Sequence, residues 1–167
     1  MKNSKHNLLH VCLAEGFGGL EKYFIESSKQ LRKVFDIELL VKENSGLHEQ
    51  LKGSKLNYET IRFTNYIDIL AIYKIRSLVK RKDIDTVFFH GSTELGLIVP
   101  ALIGLNTKLI NRKSVIVTSS KKDIYHYIIY KGVDTFIAQT PFMKKNLLKK
   151  YPINESRIKI VPNGLEL

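Results

Sequence analysis

The sequence predicts an α/β domain: a mostly parallel sheet with helices on both faces, in a Rossmann-like three-layer arrangement. Three observations lead there. Runs of strand-forming residues alternate with stretches of helical periodicity at least six times along the chain. The strands are largely apolar and bounded by turn residues, the pattern of a parallel sheet covered on both sides. The first strand opens into a glycine cluster, EGFGGLEKY at residues 15–23, directly before a helical pattern. Strand, glycine turn and helix together present backbone N–H groups and a helix N-terminus to an anion.

Each element has its own signal. Leu8-Leu9-His10-Val11-Cys12-Leu13 is the first apolar run, and Leu20, Tyr23, Phe24, Ser27, Leu31 and Val34 mark the helix after the glycines. Residues 35–41 read as a strand, 44–46 as a turn, 47–53 as a short helix and 57–63 as a strand. A longer helix spans about 66–82, apolar around much of its circumference, and ends in Lys80-Arg81-Lys82, cations well placed at a helix C-terminus. Residues 84–90 form a strand that stops at Gly91-Ser92, with a helix at about 93–105 and a strand at 108–112. A loop at 114–122 precedes a helix at 123–131 that closes on Gly132, and 134–139 is a strand. Thr140-Pro141 supplies an N-cap and a first-turn proline for a helix reaching about Lys150, and Arg157 to Val161 is the last strand.

The bulk numbers narrow the class. A chain of 167 residues is the size of one domain. Its 44% hydrophobic and 26% charged residues are ordinary for a globular protein. The lone Cys12 sits inside an apolar run and has no partner for an internal disulfide, which fits a reducing, cytoplasmic compartment. No stretch reaches the roughly 20 apolar residues of a membrane span, and the N-terminus has no signal-peptide pattern. The net charge of +11 points to an anionic membrane, a phosphorylated substrate or nucleic acid. No helix-turn-helix, zinc-finger or RNA-binding aromatic signature supports nucleic acid, and no residue pattern calls for a metal or a cofactor.

Ligands of parallel sheets bind at the carboxyl ends of the strands. That rule places three loops on one rim: Gly16–Gly19, His90–Thr93 and Arg112–Ser114. Gly16, Gly18 and Gly19 can take φ > 0 and let a ligand approach the backbone closely. A tight βα turn with no ligand meets the same spacing, and Glu21 stands near the place where the dinucleotide fingerprint has its third glycine.

Three stretches, LLHVCLAEGFGGLEKY, DTFIAQTPFMKKNLL and RIKIVPNGLEL, stand in that order across essentially the whole chain. On them the chain resembles the N-terminal half of family 4 glycosyltransferases of the GT-B fold. The resemblance implies an acceptor-side domain at 1–162, with 163–167 beginning the linker to an absent donor-binding domain. It implies a retaining transfer of a sugar from a nucleotide-sugar to a glycan or lipid-linked acceptor, in the building of a surface polysaccharide or lipopolysaccharide. It also implies that this chain alone is inactive. Where many members have a histidine after the strand ending Asn111, this chain has Arg112 and Lys113, and Glu166 stands where Asp is common. No single catalytic residue is identified.

On this reading Gly16, Gly18 and Gly19 bind the donor diphosphate. Glu21, His90, Ser92, Arg112 and Lys113 face the acceptor, the last two as a cationic pair suited to a phosphate or acidic sugar. The aromatic helix with Tyr125 and Tyr130, flanked by Lys121, Lys122 and Lys131, is a candidate contact with an anionic membrane. The rival reading is a stand-alone α/β module that binds a phosphate-containing ligand without chemistry.

Overall fold

The computed structural model describes residues 6–162; the expected linker at 163–167, with its Asn163-Gly164, lies outside the described residues. Strands and helices alternate as β1 (Asn7–Cys12), α1 (Gly19–Leu31), β2 (Asp36–Lys42), α2 (Gly46–Leu51), β3 (Tyr58–Ile61), α3 (Ile69–Arg81), β4 (Thr86–His90), α4 (Leu95–Leu102), β5 (Lys108–Arg112), α5 (Ile124–Lys131), β6 (Thr135–Ala138), α6 (Pro141–Lys150) and β7 (Ile158–Ile160). The sheet order is β3-β2-β1-β4-β5-β6-β7 and every pairing is parallel. A parallel crossover is almost always right-handed. With this order, α1 and α2 fall on one face and α3 to α6 on the other.

Strand alternation feeds two cores. Leu9, Val11, Leu40, Val87, Phe89 and Leu109 point to the face covered by Ile75 and Leu78 of α3, Leu97 of α4, Ile129 of α5 and Leu147 of α6. Cys12, Leu39 and Val41 point the other way, onto Phe24 of α1 and Leu47 and Leu51 of α2. Burial raises the Cys12 thiol to about 12, so it is packed and protonated.

The helix boundaries differ from the sequence reading for local reasons. α3 starts at Ile69 because Asp68 caps it, accepting from the Ala71 N–H at 3.1 Å, while the Ile67 N–H is held by Asn65. Its apolar circumference is only partly covered. Ile69, Leu70 and Tyr73 are 78%, 74% and 69% exposed, beside Ile67 at 67%. α4 is shorter than expected, with Pro100 inside it and Gly104 at φ +73° just beyond. A 3-10 turn at Glu155–Arg157, unseen in the sequence, leads into β7.

Gly96 of α4 shows how closely the rim elements approach. A Cβ there would meet the Tyr125 hydroxyl and sit 2.5 Å from the backbone oxygen of Tyr66. Overpacking of this kind costs about 1–3 kcal/mol, against the up to ~1 kcal/mol that alanine gains over glycine in a helix. Gly96→Ala is therefore expected to be destabilised in urea unfolding, and an unchanged or raised midpoint would show that the rim yields freely.

Candidate functional site

Parallel pairing brings three strand ends level. Cys12 of β1 is opposite His90 of β4, and His90 is opposite Arg112 of β5. β1 and β4 are the neighbours at which the strand order reverses, so their following loops diverge and leave a crevice. The loops after β1, β4 and β5 therefore share one rim.

The glycine loop is fixed from below. The Gly46 N–H donates to the Glu15 carbonyl at 3.0 Å, Lys42 pairs with Glu15, and a Cβ on Gly46 would lie 2.8 Å from the Phe17 Cβ. The expected left-handed glycines are absent, since Gly16, Gly18 and Gly19 are not among the positive-φ residues. Gly18 is the helix cap at φ −152°, and its N–H donates to the Glu21 carboxylate at 2.7 Å. That contact holds Glu21 inward, 6% exposed, closing the first turn of α1. The N–H groups of Gly19, Leu20 and Glu21, the first three of α1, have no intrahelical acceptor. Above Gly16 and Gly19 the backbone is bare: a Cβ on either meets nothing within 4 Å.

The glycine conformation that the sequence reading placed in the first loop belongs to Gly91, at φ +146°. A Cβ there would lie 2.6 Å from the Phe89 ring. The Gly91 carbonyl gathers the side chains of β5, accepting from Asn111 Nδ2 at 3.0 Å and Lys113 Nζ at 3.1 Å.

Arg112 and Lys113 are not a pair. Consecutive residues leaving a strand point to opposite faces. The Arg112 guanidinium lies 3.9 Å over the Tyr23 ring of α1 and donates to Ser114 Oγ at 2.8 Å. Lys113 turns to the other face, toward Gly91 and the Tyr151 ring. Both are buried, at 3% and 2% exposure. Burial lowers Arg112, partly offset by Tyr23, and it lowers the Lys113 amine to about 7, opposed by Glu94 and aided by Lys121. Ser92 and Thr93 line cavities on the side of the rim toward α5, away from the glycine loop.

His90 lies under the rim rather than on it, at 1% exposure. The residue that holds it, His10, was not singled out in the sequence. A histidine inside an otherwise apolar strand was the available signal, because a buried polar group needs a partner. The Ser28 hydroxyl donates to the Phe24 carbonyl at 2.7 Å, so its oxygen accepts from His10 Nδ1 at 2.8 Å. His10 Nε2 then carries the lone pair, and His90 Nε2 donates to it at 2.7 Å. Along this chain of bonds His90 Nδ1 is the bare nitrogen, buried without a partner among the described residues. The His10 ring is stacked on Phe24 at 4.1 Å and Phe88 at 5.1 Å.

The aromatic helix α5 presents a different set of side chains than expected. Tyr130 is 2% exposed and packs on Tyr151 and Phe136, so it is removed from the surface set. Ile124, Tyr127 and Ile128 are 74%, 53% and 60% exposed, with Tyr125 at 40%, and Lys122 and Lys131 exposed beside them. Among the described residues no helix is long and apolar enough to cross a membrane, and no cluster of His, Cys, Asp or Glu is placed to hold a metal.

The histidine pair has a measurable consequence. Burial, then neighbouring charge (His90 and Arg112), lowers His10 well below its usual value; burial, then Arg112, lowers His90 to about 3. Both stay neutral in the fold and take up protons near pH 6.5 when the chain unfolds. The stability they permit is present above about pH 6.5 and is lost as pH falls below it. Each proton contributes a slope approaching ~1.4 kcal/mol per pH unit. Urea unfolding between pH 7.5 and 5 should steepen below pH 6.5 in wild type and lose about half that slope in His10→Gln. A flat wild-type profile would mean that the pair is already protonated in the fold.

Solved structures of similar fold cover nearly the whole chain. Anabaena HepE, in complex with UDP and glucose, superposes with a TM-score of 0.77 at 12% identity, over 96% of this chain and 45% of its own. A glycosyltransferase from Rickettsia africae gives 0.76 at 23% identity, over 96% and 44%. The lipopolysaccharide outer core galactosyltransferase WaaB gives 0.66 at 13%, over 96% and 46%. This chain thus spans somewhat under half the length of the structures that it matches. No curated protein matches it. The family model for Glycosyltransferase Family 4 matches residues 17–167, and the chain belongs to that family.

Proposed function

We propose that this chain is the acceptor-side half of a retaining glycosyltransferase that moves a sugar from a nucleotide-sugar onto a surface polysaccharide or lipopolysaccharide acceptor. The observation that carries the reading is the crevice at the β1–β4 switch point, where bare backbone at Gly16 and Gly19 and the first N–H groups of α1 lie level with the ends of β4 and β5. Family membership supports sugar transfer. HepE was solved with UDP-glucose, and WaaB is a lipopolysaccharide galactosyltransferase. On this reading the donor diphosphate lies over Gly19, where backbone N–H groups stabilise the charge of the leaving group. The acceptor enters between the loop after β4 and α5. A donor-binding domain supplies the nucleotide site, and this chain by itself transfers no sugar.

Gly19 separates this reading from a purely structural loop. Because a Cβ there meets nothing within 4 Å, Gly19→Val should leave domain stability within about 0.5 kcal/mol. In the protein that joins this chain to a donor-binding domain, the same change should lower transfer from UDP-sugars by at least ~100-fold, the scale for losing a leaving-group contact. Transfer at the wild-type rate would overturn the diphosphate assignment.

The reading also puts the domain on an anionic membrane surface, peripherally and from the cytoplasmic side. Ile124, Tyr127 and Ile128 of α5 are exposed beside Lys121, Lys122 and Lys131. Each basic residue near such a surface contributes roughly 1 kcal/mol, screened by salt over about 8 Å. Vesicles with anionic lipid should therefore co-sediment the chain at low salt and release it at high salt. Replacing the three lysines by Glu should abolish binding, whereas equal binding to neutral vesicles would remove charge from the explanation.

A further inference from the structure

The glycine loop has a neighbour on the side away from β4. In the sheet β1 stands between β4 and β2, so residues 13–18 leave β1 beside the turn that joins β2 to α2. That turn is held by its own residues. Asn44 sits at φ +59°, and its N–H donates to His48 Nδ1 at 3.0 Å. The buried Ser45 hydroxyl donates to the Lys42 carbonyl at 2.8 Å and accepts from the His48 N–H at 3.2 Å, which caps α2. The Glu43 N–H donates to the Ile61 carbonyl at 2.9 Å, and its carboxylate accepts from Arg62 Nε at 2.9 Å.

Lys42 joins this turn to the glycine loop. Its ammonium group lies 4.6 Å over the Phe63 ring and pairs with the Glu15 carboxylate. The lysine side chain is 17% exposed and that of Glu15 76%, so the lysine is the fixed partner. A stem laid along apolar surface, with its head over a ring, has little freedom left to lose in forming the pair. Glu15 is held twice, since its carbonyl also accepts from the Gly46 N–H at 3.0 Å. At its other end the loop is tied to α1 through the Gly18 N–H and the Glu21 carboxylate. Between those ends Gly16 has no side chain to pack, and a Cβ there would meet nothing within 4 Å. The place of its backbone is therefore set by the two ends and by Gly46 beneath it.

We propose that Lys42 is a positioning residue for sugar transfer: through Glu15 it holds the glycine loop at the place where the bare backbone meets the donor diphosphate. This assignment rests on the diphosphate reading and adds to it a lever that touches no substrate. Because the Glu15 side chain is mostly in water, the pair contributes little to stability. Its effect falls on geometry, where a displacement of about 1 Å costs on the order of 100-fold in rate. A variant without the pair therefore loses rate and keeps the fold.

Two readouts test this, and one of them needs no transfer. In the 167-residue chain, the NMR amide signals of Gly16, Gly18 and Gly19 should move in Lys42→Met. The amides of β5 to α6 should stay in place, and the urea midpoint should match wild type. In the protein that joins this chain to a donor-binding domain, Lys42→Met should lower kcat for transfer from UDP-sugars by at least about tenfold, with the acceptor KM unchanged. Lys42→Arg keeps the cation and should restore most of the wild-type kcat. Glu15→Gln, on an exposed side chain, repeats both readouts if Lys42→Met does not fold. The double variant should be no slower than the slower single one, since both remove the same pair. Glycine amides that stay in place overturn the positioning role. So does a wild-type kcat in Lys42→Met while Gly19→Val abolishes transfer, and that outcome leaves the diphosphate reading standing. Wild-type transfer in both variants sinks the diphosphate reading and the positioning role together.

Discussion

The parallel ladder from β1 through β4 to β5 is the constraint on which the rest of the rim depends. Its register sets Cys12, His90 and Arg112 side by side. Right-handed crossovers then send α1 to one face and α4 to the other, so the loops after β1 and β4 leave in opposite directions. The crevice between them is therefore a result of topology, before any side chain is chosen. A shift of one residue in β4 would turn His90 from the α1 face to the α4 face and exchange the two cores.

Under that rim the chain buries polar groups where apolar ones would pack more cheaply, and three of them form one connected set. Ser28, His10 and His90 form a line of hydrogen bonds sandwiched by Phe24 and Phe88. Removal from water, with the Arg112 charge nearby, holds both imidazoles neutral. The two cations at the end of β5 respond to burial differently. Arg112 spreads its charge over a guanidinium stacked on Tyr23, which suits a half-dry site. Lys113 carries a compact charge with one oxygen partner, so burial draws its proton affinity down to the neutral range. Adjacent in sequence, they serve opposite faces.

Much of this was legible in the sequence. The βα alternation, the parallel sheet and the three loops on one rim follow from periodicity and turn residues alone, because strand length and apolar runs are local properties. The expectations that failed depend on contacts between distant segments. Tyr130 looks like an interfacial aromatic until Tyr151, beyond the whole of α6, closes over it together with Phe136 of β6. Ile69 and Leu70 look like core until Ala71, Ile75, Leu78 and Val79 take the buried face of α3 in the core with the sheet residues and leave them outward. His10 and His90 are 80 residues apart, and only the β1–β4 pairing makes them partners. Lys113 could be placed opposite Arg112 from strand alternation, but its burial depends on the turn at Gly91.

The glycines of the rim sort by what their missing side chain would have met, and that sorting separates structure from function. At Gly91 a Cβ would strike Phe89, and the backbone is in a region that side chains rarely enter. At Gly46 it would strike Phe17 and the Gly16 backbone. At Gly96 it would strike Tyr66 and Tyr125. Folding alone accounts for those three. Gly16 and Gly19 are different: neither has a positive φ, and a Cβ on either would point into empty space. Glycine costs such positions backbone entropy with no packing return. Within the described residues nothing lies within 4 Å of a Cβ at either position, and on the proposed reading the donor diphosphate takes that space.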